Sequence, residues 1–185
     1  MQSDVYELIE CMTALIRSEE RKKCTELGLQ VVHFHVLNYL SRCNKHSDTP
    51  AAIANYLGMT RGTVSQSLII LEKKGYIGKM QDTADKRVVH IRLLAAGAEI
   101  LKLARPSELF NNACTLLFQP QADSGGNIFQ QALTALQKAN DSHSFGVCHT
   151  CRNFSLINDG YFCQLTQLPL TVIESNQICQ EHIPA

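Results

Sequence analysis

The sequence predicts a mainly α chain with one small β-hairpin, followed by a short cysteine-rich module stapled by a metal. Three patterns carry that reading. Apolar residues recur three and four apart through most of residues 4–105, and the period drops to two between Tyr76 and Leu93. Cys148, Cys151, Cys163, Cys179 and His182 then crowd into one stretch near the C-terminal end. The chain divides into a larger domain, 1–140, and a module, 145–185, joined by the polar stretch Ala139–Ser144.

The first helix spans Asp4–Arg21, with Val5, Leu8, Ile9, Met12, Leu15 and Ile16 on one stripe and Glu7, Glu10 and Arg17 off it. Cys11 and Cys24 read as small buried apolar residues. After Leu27-Gly28-Leu29 comes a second helix, Gln30–Cys43, with Val32, Val36, Leu37 and Leu40 inward. Its His33 and His35, two residues apart, point to different faces and share no metal site; they read as ordinary hydrogen-bonded histidines.

Thr49 is a good N-cap, Pro50 suits the first helical position, and Gly58 supplies the left-handed residue that ends the third helix. Thr60 caps the fourth, where Val64, Leu68 and Leu71 face inward and Lys73 and Lys74 precede Gly75. Two short helices across a tight turn are a helix-turn-helix pattern. The outward face of the second carries Gly62, Ser65 and Gln66, with Arg61 and Thr63 at its margins. Short polar side chains around a bidentate reader suit the DNA major groove, so Thr60, Arg61, Thr63, Ser65 and Gln66 are the candidate DNA contacts, Gln66 reading adenine. Beyond Gly75, Tyr76–Met80 and Arg87–Leu93 read as strands around the Asp-rich turn Gln81–Lys86, a wing whose Lys86 and Arg87 suit phosphates or a narrow minor groove.

Two stretches carry a family resemblance: TPAAIANYLGMTRGTVSQSLIILEKKGYI, and Asp82-x-x-Asp85-x-Arg87 followed by Ile91-x-Leu93 and Gly97. Residues 5–140 resemble a MarR-family winged-helix regulator. The resemblance implies a winged helix-turn-helix with terminal dimerisation helices, and an Asp85 that organises the minor-groove arginine, Arg87. It further implies a homodimer on a palindromic double-stranded operator, with a small aromatic or phenolic anion as effector. Leu94 departs from the pattern, standing where the family usually has the threonine that caps the next helix. That helix runs Ala95–Phe118, broken by Pro106 near Ala104 and carrying Cys114; a loop Gln119–Gly126 and a last helix Asn127–Ala139 complete the dimerisation arm.

The formal net charge is zero, yet residues 41–94 hold nine Lys and Arg against four Asp and Glu, a local basic face of the kind a DNA binder uses. No apolar run reaches the ~18 residues of a membrane span, and Met1-Gln-Ser-Asp lacks a signal-peptide start, so a cytoplasmic chain with reduced thiols is expected.

A tail of about 40 residues buries too little core to fold alone and needs a staple. Cys148-x2-Cys151, Cys163 and Cys179-x2-His182 offer five metal ligands. Zinc would take four of them, and the frequency of such sites places it first. An iron-sulfur cluster would take the four cysteines and leave His182 aside. Spacing does not separate the two. Phe145, Phe154, Tyr161 and Phe162 serve as shield or mini-core, and His149 is not a ligand. Hanging from the dimerisation helices, the module is placed to change the spacing of the recognition helices with its metal or redox state. The sequence thus points to a DNA-binding transcriptional regulator, responsive to metal, oxygen or redox state through its tail. The competing reading is an electron-transfer or thiol-redox protein that uses the winged helix only as a scaffold. An enzyme is not expected: the cluster has more ligands than an open catalytic zinc needs and no carboxylate base beside it.

Overall fold

The structure, a computed structural model, describes residues 5–83, 85–105, 144–157 and 160–183. The expected helix beyond Pro106 with Cys114, the loop Gln119–Gly126, the helix Asn127–Ala139 and most of the polar linker lie outside those residues.

The first part is built from α1 (Val5–Glu26), α2 (Val31–Leu40), α3 (Pro50–Leu57), α4 (Arg61–Lys73), β1 (Ile77–Gln81), β2 (Val89–Leu93) and α5 (Ala95–Ala104). Helix α1 outruns its expected end at Arg21 because Glu20 and Cys24 are still buried, and it stops where Gly28 turns left-handed at φ 63°. Helix α2 ends earlier than expected, since Cys43 and Asn44 leave it to pair with a strand of the module. The caps of α3 and α4 are as their sequences dictate: Thr49 Oγ1 accepts from Ala52 N, Gly58 sits at φ 62°, and Thr60 Oγ1 accepts from Thr63 N. Val64, Ser67, Leu68 and Leu71 of α4 are buried. The apolar three of them join a core of Phe34, Val36, Leu37, Ala52, Ile53, Ile77 and Ile91.

The wing strands pair antiparallel from Ile77 opposite Leu93 to Gln81 opposite Val89. Strand β2 starts two residues later than expected because Arg87 remains in the turn, its N–H donated to Asp85 Oδ1 at 3.0 Å. Leu94 gives α5 no side-chain cap. The start of that helix is fixed by packing instead: Leu94 N donates to Tyr76 O, and Gly97 lies so close to Tyr76 that a Cβ there would stand 2.1 Å from its carbonyl oxygen. Helix α5 stops at Ala104, with Arg105 extended as a residue preceding proline prefers.

The module comprises β3 (Ser144–Val147), a 3-10 turn at Cys148–Thr150, β4 (Phe154–Ile157), β5 (Gly160–Cys163), β6 (Leu168–Leu170), α6 (Val172–Ser175) and β7 (Ile178–His182). Strands β4, β5 and β6 form an antiparallel meander, while β3 pairs with β7. The terminal helices beyond Arg105, from which the module was expected to hang, lie outside the described residues; the module itself docks on α2 and the segment 42–48. Ile178 is 7% exposed and belongs to the winged-helix core; its N–H donates to Arg42 O at 2.7 Å, and its carbonyl accepts from Asn44 N at 2.9 Å. Gln180 N donates to Ser47 Oγ at 3.0 Å. Phe145, expected in the module's own core, packs edge-on against Tyr39 and Tyr56 of the larger domain. Among the described residues, no helix is long and apolar enough to cross a membrane.

Candidate nucleic-acid interface and thiol cluster

Helix α4 turns one face to solvent. Arg61, Gly62, Thr63, Ser65 and Gln66 are all exposed, as is Thr60 at its cap. The hydroxyls of Thr60 and Thr63 lie 2.9 Å apart, and Thr60 Oγ1 also accepts the Thr63 amide, so both side chains are tied to the start of the helix. Buried on one side and short and polar on the other, α4 presents a surface that fits a groove without steric obstruction.

The wing tip is ordered by two aspartates. Asp82 Oδ1 accepts from Asp85 N at 2.8 Å, and Asp82 N donates to Val88 O. Asp85 in turn receives Arg87 from three directions: backbone N at 3.0 Å, Nε at 3.0 Å and Nη2 at 2.9 Å. The Arg87 side chain is 91% exposed and still oriented, a guanidinium held outward by a two-point carboxylate clasp. That clasp, with the backbone bond, holds the Asp85 carboxyl below its usual pKa. Lys86 beside it is exposed, its carbonyl accepting from Gln81 Nε2 at 3.3 Å.

Sequence reasoning missed a triad at the wing base. His90 reaches Asp48 Oδ1 through Nδ1 at 2.5 Å and Asp82 Oδ2 through Nε2 at 3.1 Å. The hydrogen bond to Asp48 raises the His90 pKa most, against the opposing effect of burial. Asp48 also accepts Ile91 N at its carbonyl, at 2.7 Å, so the segment entering α3 is bonded to the wing by backbone and side chain alike. One signal was legible: a histidine in a strand of otherwise aliphatic and basic residues, placed across the hairpin from Asp82.

The two histidines of α2 lie apart from this triad, and contrary to the expectation of a fully hydrogen-bonded ring, His33 Nε2 is buried without a hydrogen-bond partner among the described residues. His33 is buried, accepts Gln30 N at Nδ1 and has its pKa lowered by burial, while His35 faces Glu20 at 3.5 Å.

In the module, Cys148, Cys151, Cys163 and Cys179 line one cavity of about 280 Å³, together with Asn44, Lys45 and His46 of the larger domain and Phe154. The Cys148 and Cys179 thiols hydrogen-bond each other, which lowers the pKa of Cys179 and raises that of Cys148, where burial adds to the rise. Cys179 also takes hydrogen bonds from the Glu181 backbone and the Asn44 side chain, and Cys151 Sγ accepts Ile183 N at 3.4 Å. N–H groups aimed at sulfur favour the thiolate, the form that binds metals. His182 is buried apart from this cavity: its Nε2 is 2.9 Å from Thr150 Oγ1, and its ring lies over Gly146, where a Cβ would meet it at 2.6 Å. His149 is exposed and bonds to Ser175 O. As they stand, no three His, Cys, Asp or Glu groups among the described residues are gathered closely enough to hold an ion. Cys24 and Cys43 are buried and do not line this cavity, and burial pushes the Cys43 thiol up to about 12.

Residues 27–87 match the model of the MarR family. The transcriptional repressor MprA of Escherichia coli K12 is 26% identical over 97 residues, 52% of this chain and 55% of that protein, so the chain spans about half the length of the curated relatives it matches. Apo MarR from E. coli is similar over 72% of this chain and 99% of its own, at 19% identity and a TM-score of 0.57. The MepR–DNA complex from S. aureus covers 75% of this chain and 99% of its own, at 21% identity and a TM-score of 0.56. At these identities the two structures speak for the fold. Residues 27–87 of this chain fold as a winged helix and are similar to the MarR family over that stretch.

Proposed function

We propose that this protein is a sequence-specific DNA-binding transcriptional regulator of the MarR type, a homodimer on a palindromic operator. The observation that carries the reading is the pairing of the exposed polar row on α4 with an arginine presented at the wing tip by its own carboxylate clasp. In this reading Gln66 reads a base in the major groove, Thr60, Arg61, Thr63 and Ser65 set the register of α4, and Lys86 and Arg87 take the phosphate or minor-groove side. The solved complex of MepR with DNA supports a DNA partner for this fold. Leu15 and Leu103 are each 63% exposed, on helices the resemblance assigns to the dimer; they support pairing there. Two copies would set their recognition helices roughly 34–36 Å apart on one DNA face.

The module is read as a metal site, zinc or an iron-sulfur cluster, drawn from Cys148, Cys151, Cys163, Cys179 and His182. Zinc would staple a fold with little core, and a cluster would add redox chemistry. The reading of the chain as a redox protein with an idle winged helix has no comparable support: it leaves the clasped Arg87 without a task.

Selection of binding sites from random duplex DNA, followed by titration of the selected duplex and its single-base variants, tests the proposal. Gln66→Ala is expected to relax the preference at one base pair in each half-site by about 1–3 kcal/mol. Equal weakening on every sequence would remove Gln66 as a base reader.

A further inference from the structure

The thiol cavity is not a feature of the module alone. Asn44, on the segment leaving α2, lines the cavity together with Cys179, and its backbone N–H bonds Ile178 O. Cys179 itself lies between Ile178 and Gln180, the two residues that dock β7 on the larger domain. A continuous line of bonds then leads outward. Ser47 N donates to Asn44 O, and Ser47 Oγ accepts Gln180 N. Asp48 follows, bonded to Ile91 and His90; His90 holds Asp82, Asp82 holds the Asp85 amide, and Asp85 clasps Arg87.

Resting on the MarR-type reading, we infer that Cys148, Cys151, Cys163 and Cys179 form a four-thiolate metal site with His182 outside it, and that its loading sets the DNA affinity of the wing through Asn44–Asp48. The ligand set follows from what lines the cavity: all four sulfurs border it and Cys151 Sγ accepts Ile183 N, while the imidazole is spent on Thr150 and lies over Gly146; loading must draw the sulfurs closer together than they now stand. Drawing the four sulfurs onto a metal fixes β7, and with it the segment that holds the wing base. Without that anchor, β7 is held by its pairing with β3 and by its few bonds to Arg42, Asn44 and Ser47. A thiophilic metal is the shared chemistry of zinc and an iron-sulfur cluster, and one measurement separates them.

The test uses full-length wild-type protein purified without oxygen. X-ray absorption at the edge of whichever metal mass spectrometry finds is expected to show sulfur-only coordination: four Zn–S distances for zinc, or Fe–S with Fe–Fe distances for a cluster. A nitrogen neighbour, or no bound zinc or iron, overturns the ligand set. Chelator-stripped and loaded protein are then titrated against the selected operator. Stripping is expected to weaken binding about tenfold, within the usual range of coupled sites. In Ser47→Ala, which lacks the Gln180 bond but no ligand, stripping is expected to change affinity less than about threefold. Equal wild-type affinity with and without metal overturns the coupling, and an undiminished effect in Ser47→Ala overturns its route. Loaded wild type that binds no duplex at low salt would sink the regulator reading instead, leaving the ligand assignment to stand or fall by the absorption spectrum.

Discussion

Ile178→Ala tests whether the module is a docked unit. The side chain is 7% exposed and sits in the larger domain's core, so truncation removes apolar contact and leaves a cavity at the seam. Large-to-small substitutions of this kind cost about 2–5 kcal/mol, depending on how far the site collapses. The backbone bonds on either side, Ile178 N to Arg42 O and Asn44 N to Ile178 O, are untouched by the substitution and report the opening of the seam. Amide hydrogen exchange reads it: if those amides exchange by undocking, each ~1.4 kcal/mol is tenfold, so the rates of residues 44, 178 and 180 should rise by roughly 30-fold to a few thousandfold. Amides within α4 should keep their wild-type rates. Equal acceleration in α4 would mean that module and winged helix open together, and no acceleration anywhere would remove Ile178 as the anchor.

Three further outcomes are expected. Arg87→Ala should lower the slope of log affinity against log salt by about 1, with Asp85→Asn weakening binding less because the charge remains but loses its clasp; an unchanged slope in Arg87→Ala would take that arginine off the DNA. His90 has a folded pKa above its usual 6.5, so its contribution to stability is complete below the unfolded value and is lost as pH rises through the higher folded one. The stability gap between wild type and His90→Gln, measured by denaturant titration across that window, should therefore narrow with rising pH; a gap that widens contradicts the triad. Gly97→Ala places a Cβ against the Tyr76 carbonyl and should cost about 1–3 kcal/mol, seen as a lower melting temperature, and an unchanged Tm would show that α5 shifts freely.

The caps of α3 and α4, the inward row Val64, Leu68, Leu71 and the Asp-rich wing were legible because each is decided within a few residues by spacing or by one side chain on a nearby amide. What stayed hidden involves partners far apart in the chain. Nothing local to Asp48 foretells His90, nor does the neighbourhood of Ser47 foretell Gln180, 133 positions on. The same holds for Phe145: an aromatic beside a cysteine knuckle reads as part of that knuckle, yet its ring went to Tyr39 and Tyr56. His182 is the complementary case: its spacing from Cys179 suits a ligand pair, while the fold lays its ring over Gly146. The extent of α1 turned on burial of Cys24, which periodicity ending at Arg21 did not carry.

The segment 42–48 is bonded on one side to β2 through Ile91 and on the other to β7 through Ile178. It is a turn segment with a single bridge at Cys43, and its outer neighbour arrives from the far end of the chain. Exposed strand edges with apolar surroundings recruit other chains. Were the tail removed, Arg42 O and Asn44 N would lose their partner beside the uncovered rings of Tyr39 and Tyr56. The C-terminal module covers these two backbone groups, and its loss should show first as aggregation.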